Sequence, residues 1–476
     1  MSPSLAVRNP RTGENDYSIQ PLDAMEVGLI TDGLRASQRA WLDIGVARRC
    51  RIVRAWADSV LERPDAILDA LATDTGRRYV SLVEIRALEG IVSGWCAVAP
   101  DLLSADDERP SVTRGVDIRT QLVPYELVGV ISPWNFPFLL SMLDSIPALI
   151  AGCSVMVKPS EITPRFIGPL VESLSAFPEL AAVFHWVDGD GGTGAAMIDT
   201  VDAIAFTGSV ATGRIVAEGC ARNFIPSFLE LGGKDPAIIL PSADPEKAAR
   251  IVLRASVQAT GQACQSLERI YVHADHYDAF VGVLVEMAGS VELNYPDIHH
   301  GQIGPLIFAK QAETIAAHIE DALQKGAELR CGGKLENHGG GLWIRPTVLT
   351  GVDHSMKVMT EETFGPVIPV MAYREIDEAV KLANDTKYGL SASVIGPDID
   401  EALAVGRRIN AGAISINDGA LTTQVHDAVH DSFLLSGMGA ARMGTSGLVR
   451  FIRQKAFLIR RGEALGIDSL EEGQLA

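Results

Sequence analysis

The chain has few basic residues for its length. Of its 476 residues, 41 are Lys or Arg and 60 are Asp or Glu, which gives a formal net charge of −19 at pH 7. Nucleic-acid-binding proteins present basic surfaces to the phosphate backbone, so this balance argues against a nucleic-acid partner. We expect instead an acidic, solvated exterior.

Cysteine and histidine are scarce and scattered. The six cysteines form no CxxC pair, and the ten histidines show no metal-ligand spacing. Proteins stapled by disulfides carry cysteine at a far higher density, so we predict no disulfide framework and a reducing, cytoplasmic location. We also expect no metal site. The first 16 residues lack the apolar core of a signal peptide.

Long hydrophobic runs are missing, with one apparent exception. Residues 136–157 contain a single charge in 22 positions, which is long enough to suggest a membrane span. That charge, Asp144, is near the centre of the run, and Pro137 and Pro147 interrupt it. We therefore predict a buried helix followed by a buried strand, and no membrane association.

Apolar strands and helices alternate through most of the chain. Hydrophobic residues make up 47% of the sequence and charged residues 21%, the balance of a soluble globular protein with more than one core. A strand-and-turn lead-in over 1–20 and a helical region over 21–103 come first. The alternation then predicts strands at 127–132, 154–157, 183–187 and 203–206, separated by helices at 138–151, 163–176, 192–200 and 210–221.

The second half of the chain repeats the pattern. We predict strands at 237–240, 269–272, 368–371 and 412–416, with helices at 244–260, 276–288, 311–325, 375–384 and 399–410. Such alternation is typical of a parallel α/β sheet covered by helices on both faces. Ligands of these sheets bind outside the carboxyl ends of the strands. Two further segments are strand-like: 117–126, which alternates like a strand pair, and the tail at 451–459.

A carboxylate and a thiol stand in two glycine-bearing turns about one helix apart, in Glu230-Leu231-Gly232-Gly233 and Gly261-Gln262-Ala263-Cys264. A thiol attacks as the thiolate and needs help to ionise, because a free cysteine has a pKa of about 8.5. A carboxylate acting through water can serve as a general base. Together with four other motifs, these turns closely resemble the aldehyde dehydrogenase superfamily. The six motifs are 133–137 (PWNFP), 158–161 (KPSE), 206–209 (FTGS), 230–236 (ELGGKDP), 261–264 (GQAC) and 361–366 (EETFGP).

The resemblance implies three catalytic residues. Cys264 would be the nucleophile, Asn135 would stabilise the oxyanion together with the Cys264 backbone N–H, and Glu230 would activate the hydrolytic water. Read without the resemblance, these are an inert buried thiol, an asparagine that fixes a turn and a salt-bridged glutamate. Glu230 also distinguishes the chain from CoA-acylating relatives, which usually lack this base.

The resemblance also implies a nicotinamide dinucleotide. Lys158 and Glu161 would contact the adenosine ribose, Ser209 the phosphates at a helix N-terminus, and Glu362 and Phe364 the nicotinamide end. A carboxylate at the ribose repels a 2′-phosphate, so NAD is expected and NADP is less favoured. The expected cofactor-binding residues are Ile131, Trp134, Lys158, Glu161, Gly208, Ser209, Leu231, Glu362 and Phe364.

A literal GxGxxG pattern at 189–194 is a second, weaker cofactor signal. In the family that the chain resembles, the phosphates contact FTGS instead. The 189–194 segment therefore either touches the cofactor or is a neighbouring loop.

The substrate side is less defined. Mostly apolar candidates with no arginine pair predict a hydrophobic or aromatic aldehyde rather than a carboxylated one. The expected tunnel residues are Phe136, Leu140, Leu143, Gln265 and His430, beside a 418–425 loop. Two departures from the family affect this region. Asp144 replaces a lysine that many relatives carry nine residues after the motif asparagine, and 429–437 lacks the usual glycines.

The expected fold class is α/β, with a parallel-sheet dinucleotide-binding domain, an α/β catalytic domain and a small β oligomerisation arm. The resemblance implies residues 1–108 and 127–232 for the first domain, 233–432 for the second, and 109–126 with 433–476 for the arm and tail of a homodimer or homotetramer. Two other functions stay open. The same thiol supports acyl transfer or ester hydrolysis without net redox change, and the fold could serve as a catalytically silent binding protein.

Overall fold

Two helix-covered sheets form the framework of the chain in a computed structural model that describes residues 3–104 and 108–472. The predicted α/β class is confirmed. Before the first sheet, a hairpin pairs Leu5–Arg8 with Asn15–Ile19. The predicted helical region follows as Ala24–Asp43, Val46–Glu62, Asp65–Thr75 and Arg78–Leu102.

The first sheet contains the four strands predicted from the first half of the chain. Its buried strands read as continuous apolar runs because helices cover both faces. In spatial order the strands are Gly437–Met438, Ser227–Glu230, Ala203–Thr207, Leu127–Ile131, Ser154–Lys158 and Phe184–Trp186. All neighbours are parallel except Gly437–Met438, which runs antiparallel to Ser227–Glu230. Neither of these two edge strands was predicted.

Helices of the first sheet connect its strands. They are Pro137–Ala151, Ile167–Leu174, Pro178–Ala181, Gly191–Ile198 and Val210–Arg222. The apolar run at 136–157 is a buried helix followed by a buried strand, as predicted. In the described part of the chain, no helix is both long enough and apolar enough to cross a membrane.

The second sheet has seven strands. In spatial order they are Glu328–Cys331, Thr347–Thr350, Val367–Tyr373, Leu267–His273, Asp235–Ile239, Ser391–Ile395 and Ala413–Ile416. Only the first pair is antiparallel. The helices are Pro245–Val257, Tyr277–Gly289, Ala309–Gln324, Lys357–Thr360, Ile376–Asn384 and Ile399–Gly406. The strand at 391–395 was not predicted, and the last helix is shorter than the predicted 399–410.

A third, three-stranded sheet differs from its prediction. Val116–Pro124 is a single strand that pairs along its whole length with Ile452–Arg460, and its other edge meets Arg109–Pro110. The interpretation of 117–126 as a strand pair is wrong, because the chain reverses earlier, at Gly115 with φ 73°. The predicted tail strand is confirmed. Smaller elements are Leu335–His338 with Gly341–Ile344, Tyr388–Gly389 with Phe433–Leu434, and the short helices Gln258–Gly261, Ala274–His276, Leu421–Thr423, Ser446–Val449 and Ile467–Leu470.

Candidate active site

One cavity of about 730 Å³ lies at the carboxyl ends of the first sheet's strands. Its wall includes Ile131, Lys158 and Thr207, each the last residue of its strand. This is the edge at which parallel α/β sheets bind ligands. All nine expected cofactor residues line the cavity, and so do Asn135 and Cys264. Residues far apart in sequence therefore form one site.

An unusual backbone turn brings Cys264 to the cavity. The helix Pro245–Val257 ends, and Ala259, Thr260 and Gly261 all adopt positive φ angles of 54°, 62° and 67°. Left-handed conformations at two non-glycine residues cost of order 1 kcal/mol each, so tertiary contacts must hold the turn. A Cβ on Gly261 would overlap the backbone of Gly365. The cysteine turn thus packs directly on the 361–366 motif.

The Cys264 thiol is in an environment that opposes ionisation. The residue keeps partial solvent access at the cavity wall, yet the surrounding protein is dense enough that burial raises the pKa of its thiol to about 12. The carboxylates of Glu362, Asp235 and Glu230 raise this pKa further, while the guanidinium of Arg442 lowers it. In this arrangement the sulfur is a neutral thiol at pH 7.

Asn135 links the cysteine turn to the first sheet. Its side chain is buried, and Nδ2 donates a 2.9 Å hydrogen bond to the carbonyl of Gln262. Arg77 binds both turns from below by donating to the carbonyls of Asn135 at 2.5 Å and Ala259 at 2.9 Å. The relative position of Asn135 and Cys264 is therefore fixed by side chains. The sequence analysis missed Arg77, which belongs to none of the six motifs.

Glu230 ends the strand Ser227–Glu230, immediately before Leu231 and Gly232 of the cavity wall. In the sheet it is flanked by Thr207 on one side and Gly437 on the other. Its Oε2 accepts a 2.7 Å hydrogen bond from Ser432 Oγ. Ser432 also went unpredicted, because it lies in the segment where the family pattern breaks down.

Glu362 reaches across the site to the Gly232-Gly233 pair. Its Oε1 accepts a 3.1 Å hydrogen bond from the Gly233 N–H, and a Cβ on Gly232 would overlap its carboxylate. The two glycines are needed for this close approach. Burial raises the pKa of Glu362 to about 8.

A buried carboxylate shapes the loop that carries Glu362. Glu268 accepts 2.8 Å hydrogen bonds from the backbone N–H groups of Thr363 and Phe364, and Lys234 Nζ is 2.5 Å from its Oε2. Phe364 adopts a positive φ of 52°, which these contacts stabilise. Its ring meets Trp134 edge-on at 5.4 Å.

The residues around the cavity fit a dinucleotide. Lys158 Nζ is 3.6 Å from Glu161 Oε2 and donates to the carbonyls of Pro159 and Gly189, both at 2.9 Å. This polar pair suits ribose hydroxyls. Ser209 is the N-cap of the helix Val210–Arg222, whose N-terminus suits phosphates. The Trp134–Phe364 rings offer a flat surface near Cys264 for the nicotinamide. From the GxGxxG segment, Gly191 and Gly194 line the cavity.

The expected tunnel residues are less well gathered. Leu140 lines the cavity, whereas Leu143 packs in the hydrophobic core. The Phe136 ring lies 5.4 Å from the Arg77 guanidinium. Gln265 is partly exposed beside Cys264, and His430 binds the Ala428 carbonyl at 3.1 Å in a surface loop. Leu143 is on the core side of its helix, so it is the candidate least able to meet a substrate.

The departure at Asp144 is balanced by charges from the end of the chain. Asp144 accepts from Arg442 Nε at 3.0 Å and Nη2 at 2.9 Å, and it also binds Arg450. All three side chains are buried. The sequence gave no sign of this cluster, because Arg442 is 298 residues from Asp144. No group of three or more metal-ligating side chains occurs within residues 3–104 and 108–472.

Comparisons with known proteins agree with this geometry. Residues 1–457 match the family model described as "Aldehyde dehydrogenase family". The chain is 34% identical over 466 residues to "Putative succinate-semialdehyde dehydrogenase (NADP+) 2" of Mycobacterium tuberculosis, with 96% of this chain and 90% of the relative covered.

Solved structures show the same fold. "Putative Aldehyde Dehydrogenase PutA" from Anabaena variabilis superimposes with a TM-score of 0.95 at 50% identity, covering 98% of this chain and 99% of the other. Betaine aldehyde dehydrogenase from Staphylococcus aureus in complex with NAD+ gives a TM-score of 0.90 at 28% identity, covering 97% and 92%. The chain therefore belongs to the aldehyde dehydrogenase family, whose members use NAD(P), and it oxidises an aldehyde to a carboxylic acid.

Proposed function

We propose that this enzyme uses NAD to oxidise a hydrophobic or aromatic aldehyde through a covalent thioester on Cys264. The observation that carries the proposal is the shared wall of the cavity. Cys264 and Asn135 line it together with the nine residues expected to hold a dinucleotide. A nucleophile, an amide donor and a cofactor-sized space therefore meet in one place.

In the first half-reaction, the Cys264 thiolate attacks the aldehyde carbonyl. A primary amide has two N–H donors, so Asn135 can serve the developing oxyanion while it keeps its bond to Gln262. The Cys264 backbone N–H supplies a second donor. Because Asn135 is held by Gln262 and Arg77, its amide is preorganised for charge that appears only during the reaction.

In the second half-reaction, Glu230 removes a proton from the water that hydrolyses the thioester. When bound, NAD supplies the acceptor for the hydride that leaves the tetrahedral adduct. Hydrolysis then releases the carboxylic acid and restores the thiol. Ser432 holds one oxygen of Glu230, which leaves the other oxygen available to the water.

The preference for NAD is argued from the Lys158–Glu161 pair. The comparisons do not decide it, since the mycobacterial relative is named for NADP+ and the staphylococcal structure contains NAD+. Glu161 would repel a 2′-phosphate. Lys158 could attract one, but its ammonium already binds two backbone carbonyls and lies beside Glu161.

The choice of an uncharged aldehyde follows from the residues of the cavity wall. Leu140, Trp134 and Phe308 contribute apolar surface. A substrate that carries a carboxylate, as succinate semialdehyde does, requires a cationic partner, and arginine is the usual one. None of the described residues that line this cavity is an arginine.

We propose the same division of labour along the chain as the sequence implied. Residues 1–108 and 127–232 bind the dinucleotide, and 233–432 carry the nucleophile. Residues 109–126 and 433–476 serve assembly into a cytoplasmic homodimer or homotetramer. Support comes from the sheet that joins Val116–Pro124 to Ile452–Arg460, since it stands apart from both main sheets.

The direct test is NADH formation by the purified enzyme with aliphatic, aromatic and carboxylated aldehydes. NADP and the Cys264→Ala variant serve as comparisons. NAD-linked turnover that is fastest with apolar aldehydes and absent in the variant supports the proposal. Faster turnover of carboxylated aldehydes would refute the substrate class. Turnover in Cys264→Ala would refute the covalent mechanism, and no turnover at all would favour a silent binding protein.

A further inference from the structure

A buried cluster of three charges lies behind the active site. We call Asp144, Arg442 and Arg450 the charge cluster. Asp144 makes a two-pronged contact with Arg442 through Nε and Nη2, and it also accepts from Arg450. Two cations against one anion leave a net charge of +1. A net charge is costly to bury unless other charges compensate for it nearby.

The cluster is attached to the strand beside Glu230. Arg442 Nη2 donates to Thr207 Oγ1 as well as to Asp144. Thr207 is in register with Glu230 on the adjacent parallel strand, and registered neighbours present their side chains to the same face of a sheet. On its other side, Glu230 pairs with Gly437, five residues before Arg442. The guanidinium is therefore anchored to both neighbours of the proposed base.

The proposed nucleophile needs this positive charge. Three carboxylates face Cys264, those of Glu362, Asp235 and Glu230, and Arg442 is the cation that faces it. Each carboxylate disfavours a thiolate, and burial acts in the same direction. Arg442 is fully protonated at any working pH, and its fork geometry suits simultaneous contact with Asp144 and Thr207.

We propose that Arg442 is a positioning residue for both half-reactions: held by Asp144 and Thr207, it supplies the positive charge that favours the Cys264 thiolate and the ionised Glu230 carboxylate. The inference rests on the roles proposed above for Cys264 and Glu230. It also explains the departure at position 144. An aspartate there does not remove a cation from the region but fixes one that comes from the C-terminal segment.

The test measures alkylation of Cys264 by iodoacetamide between pH 7 and 9, followed by peptide mass spectrometry. Because the thiol pKa is raised above this range, the rate rises with pH as the thiolate fraction grows. Loss of an opposing charge raises the pKa by about one unit, so Arg442→Met should react about tenfold more slowly at each pH. Arg442→Lys should stay within about threefold of the wild type, and Asp144→Asn, which frees the Arg442 charge, should react faster.

Arg450→Met is the matched control. Arg450 is also buried, also binds Asp144, and packs against the rings of Phe228 and Phe451, so its loss should destabilise the fold at least as much. It makes no contact with Thr207 in the described structure. Thermal unfolding of every variant, compared with its alkylation rate, separates stability from charge. The expected result is a much larger loss of thiol reactivity in Arg442→Met than in Arg450→Met.

Three results would overturn the inference. These are wild-type alkylation in Arg442→Met, equal losses in the two methionine variants, and an Arg442→Lys variant as slow as Arg442→Met. Aldehyde turnover in Cys264→Ala tells the two proposals apart. If that variant stays active, the proposed nucleophile is wrong; if it is inactive while Arg442→Met alkylates normally, only the role of Arg442 fails.

Discussion

Ser432 and Glu230, 202 residues apart, are joined by a 2.7 Å hydrogen bond from Oγ to Oε2. The contact needs a glycine beside it, because a Cβ on Gly437 would lie 2.5 Å from the Ser432 Cβ. The loop is held further by pairing of Phe433–Leu434 with Tyr388–Gly389. The segment that departs most from the family pattern therefore contacts the proposed base directly.

Replacing Ser432 with alanine should slow thioester hydrolysis. A hydrogen bond to a charged group contributes about 1.5–3 kcal/mol, so hydrolysis should slow about tenfold or more while hydride transfer is spared. The measurement is stopped-flow NADH formation. The variant should show a burst of about one NADH per active site followed by a slow steady state, since the thioester accumulates.

The matched variant for this experiment is Ser432→Thr, which keeps the hydroxyl. It should retain most of the wild-type steady-state rate. A Ser432→Ala enzyme with an unchanged steady-state rate would show that Glu230 needs no help from the loop. A variant that loses the burst itself would place Ser432 in the first half-reaction.

Replacing Asn135 with alanine should slow the first half-reaction severely without abolishing it. Loss of one oxyanion donor raises the barrier by about 2.7–4 kcal/mol, which lowers kcat about 10²–10³-fold. Single-turnover NADH formation with saturating NAD checks this prediction. Asn135→Ala must remain faster than Cys264→Ala, because the Cys264 backbone N–H still donates; equal rates would mean that the amide does more than stabilise charge.

The fold was largely predictable because its signals are local. Buried parallel strands are short apolar runs, and each run between residues 127 and 207 formed a strand. Ser227–Glu230 was missed because it is short and leads into a motif read for its chemistry. The 117–126 segment was misread because its partner strand, Ile452–Arg460, is more than 300 residues away. Alternation indicates a strand but does not identify its partner.

The proposed site was predictable only where a motif marks it. Cys264, Asn135 and Glu230 each belong to one of the six motifs. Arg77 and Arg442 belong to none, although Arg77 holds the Asn135 turn and Arg442 is anchored beside Glu230. Their roles depend on which distant carbonyl or carboxylate they meet, and no spacing in the sequence encodes that.

Replacing Glu161 with glutamine should weaken the preference for NAD. The substitution keeps the size and hydrogen-bonding capacity of the side chain but removes the charge that repels a 2′-phosphate. Removing about 1.4 kcal/mol of discrimination changes the ratio of kcat/KM for NAD to that for NADP about tenfold. Steady-state kinetics with both cofactors measures the ratio. The control is Glu172→Gln, on the helix Ile167–Leu174, which should leave the ratio unchanged. An unchanged ratio in Glu161→Gln would assign the selectivity elsewhere.

Replacing Leu458 with aspartate should dissociate the oligomer. The strand Ile452–Arg460 is at the edge of its sheet in the described structure, and it exposes 72% of Leu458 and 45% of Phe457. An unpaired edge with exposed apolar side chains is a ready surface for another chain, and a charge on such an edge opposes pairing. Because Leu458 is exposed in the single chain, the variant should unfold at nearly the wild-type temperature. Light scattering after gel filtration should show a lower mass. Ile467→Asp, which alters an equally exposed side chain outside the strand, should keep the wild-type mass; an unchanged mass for Leu458→Asp would place the subunit contact on another surface.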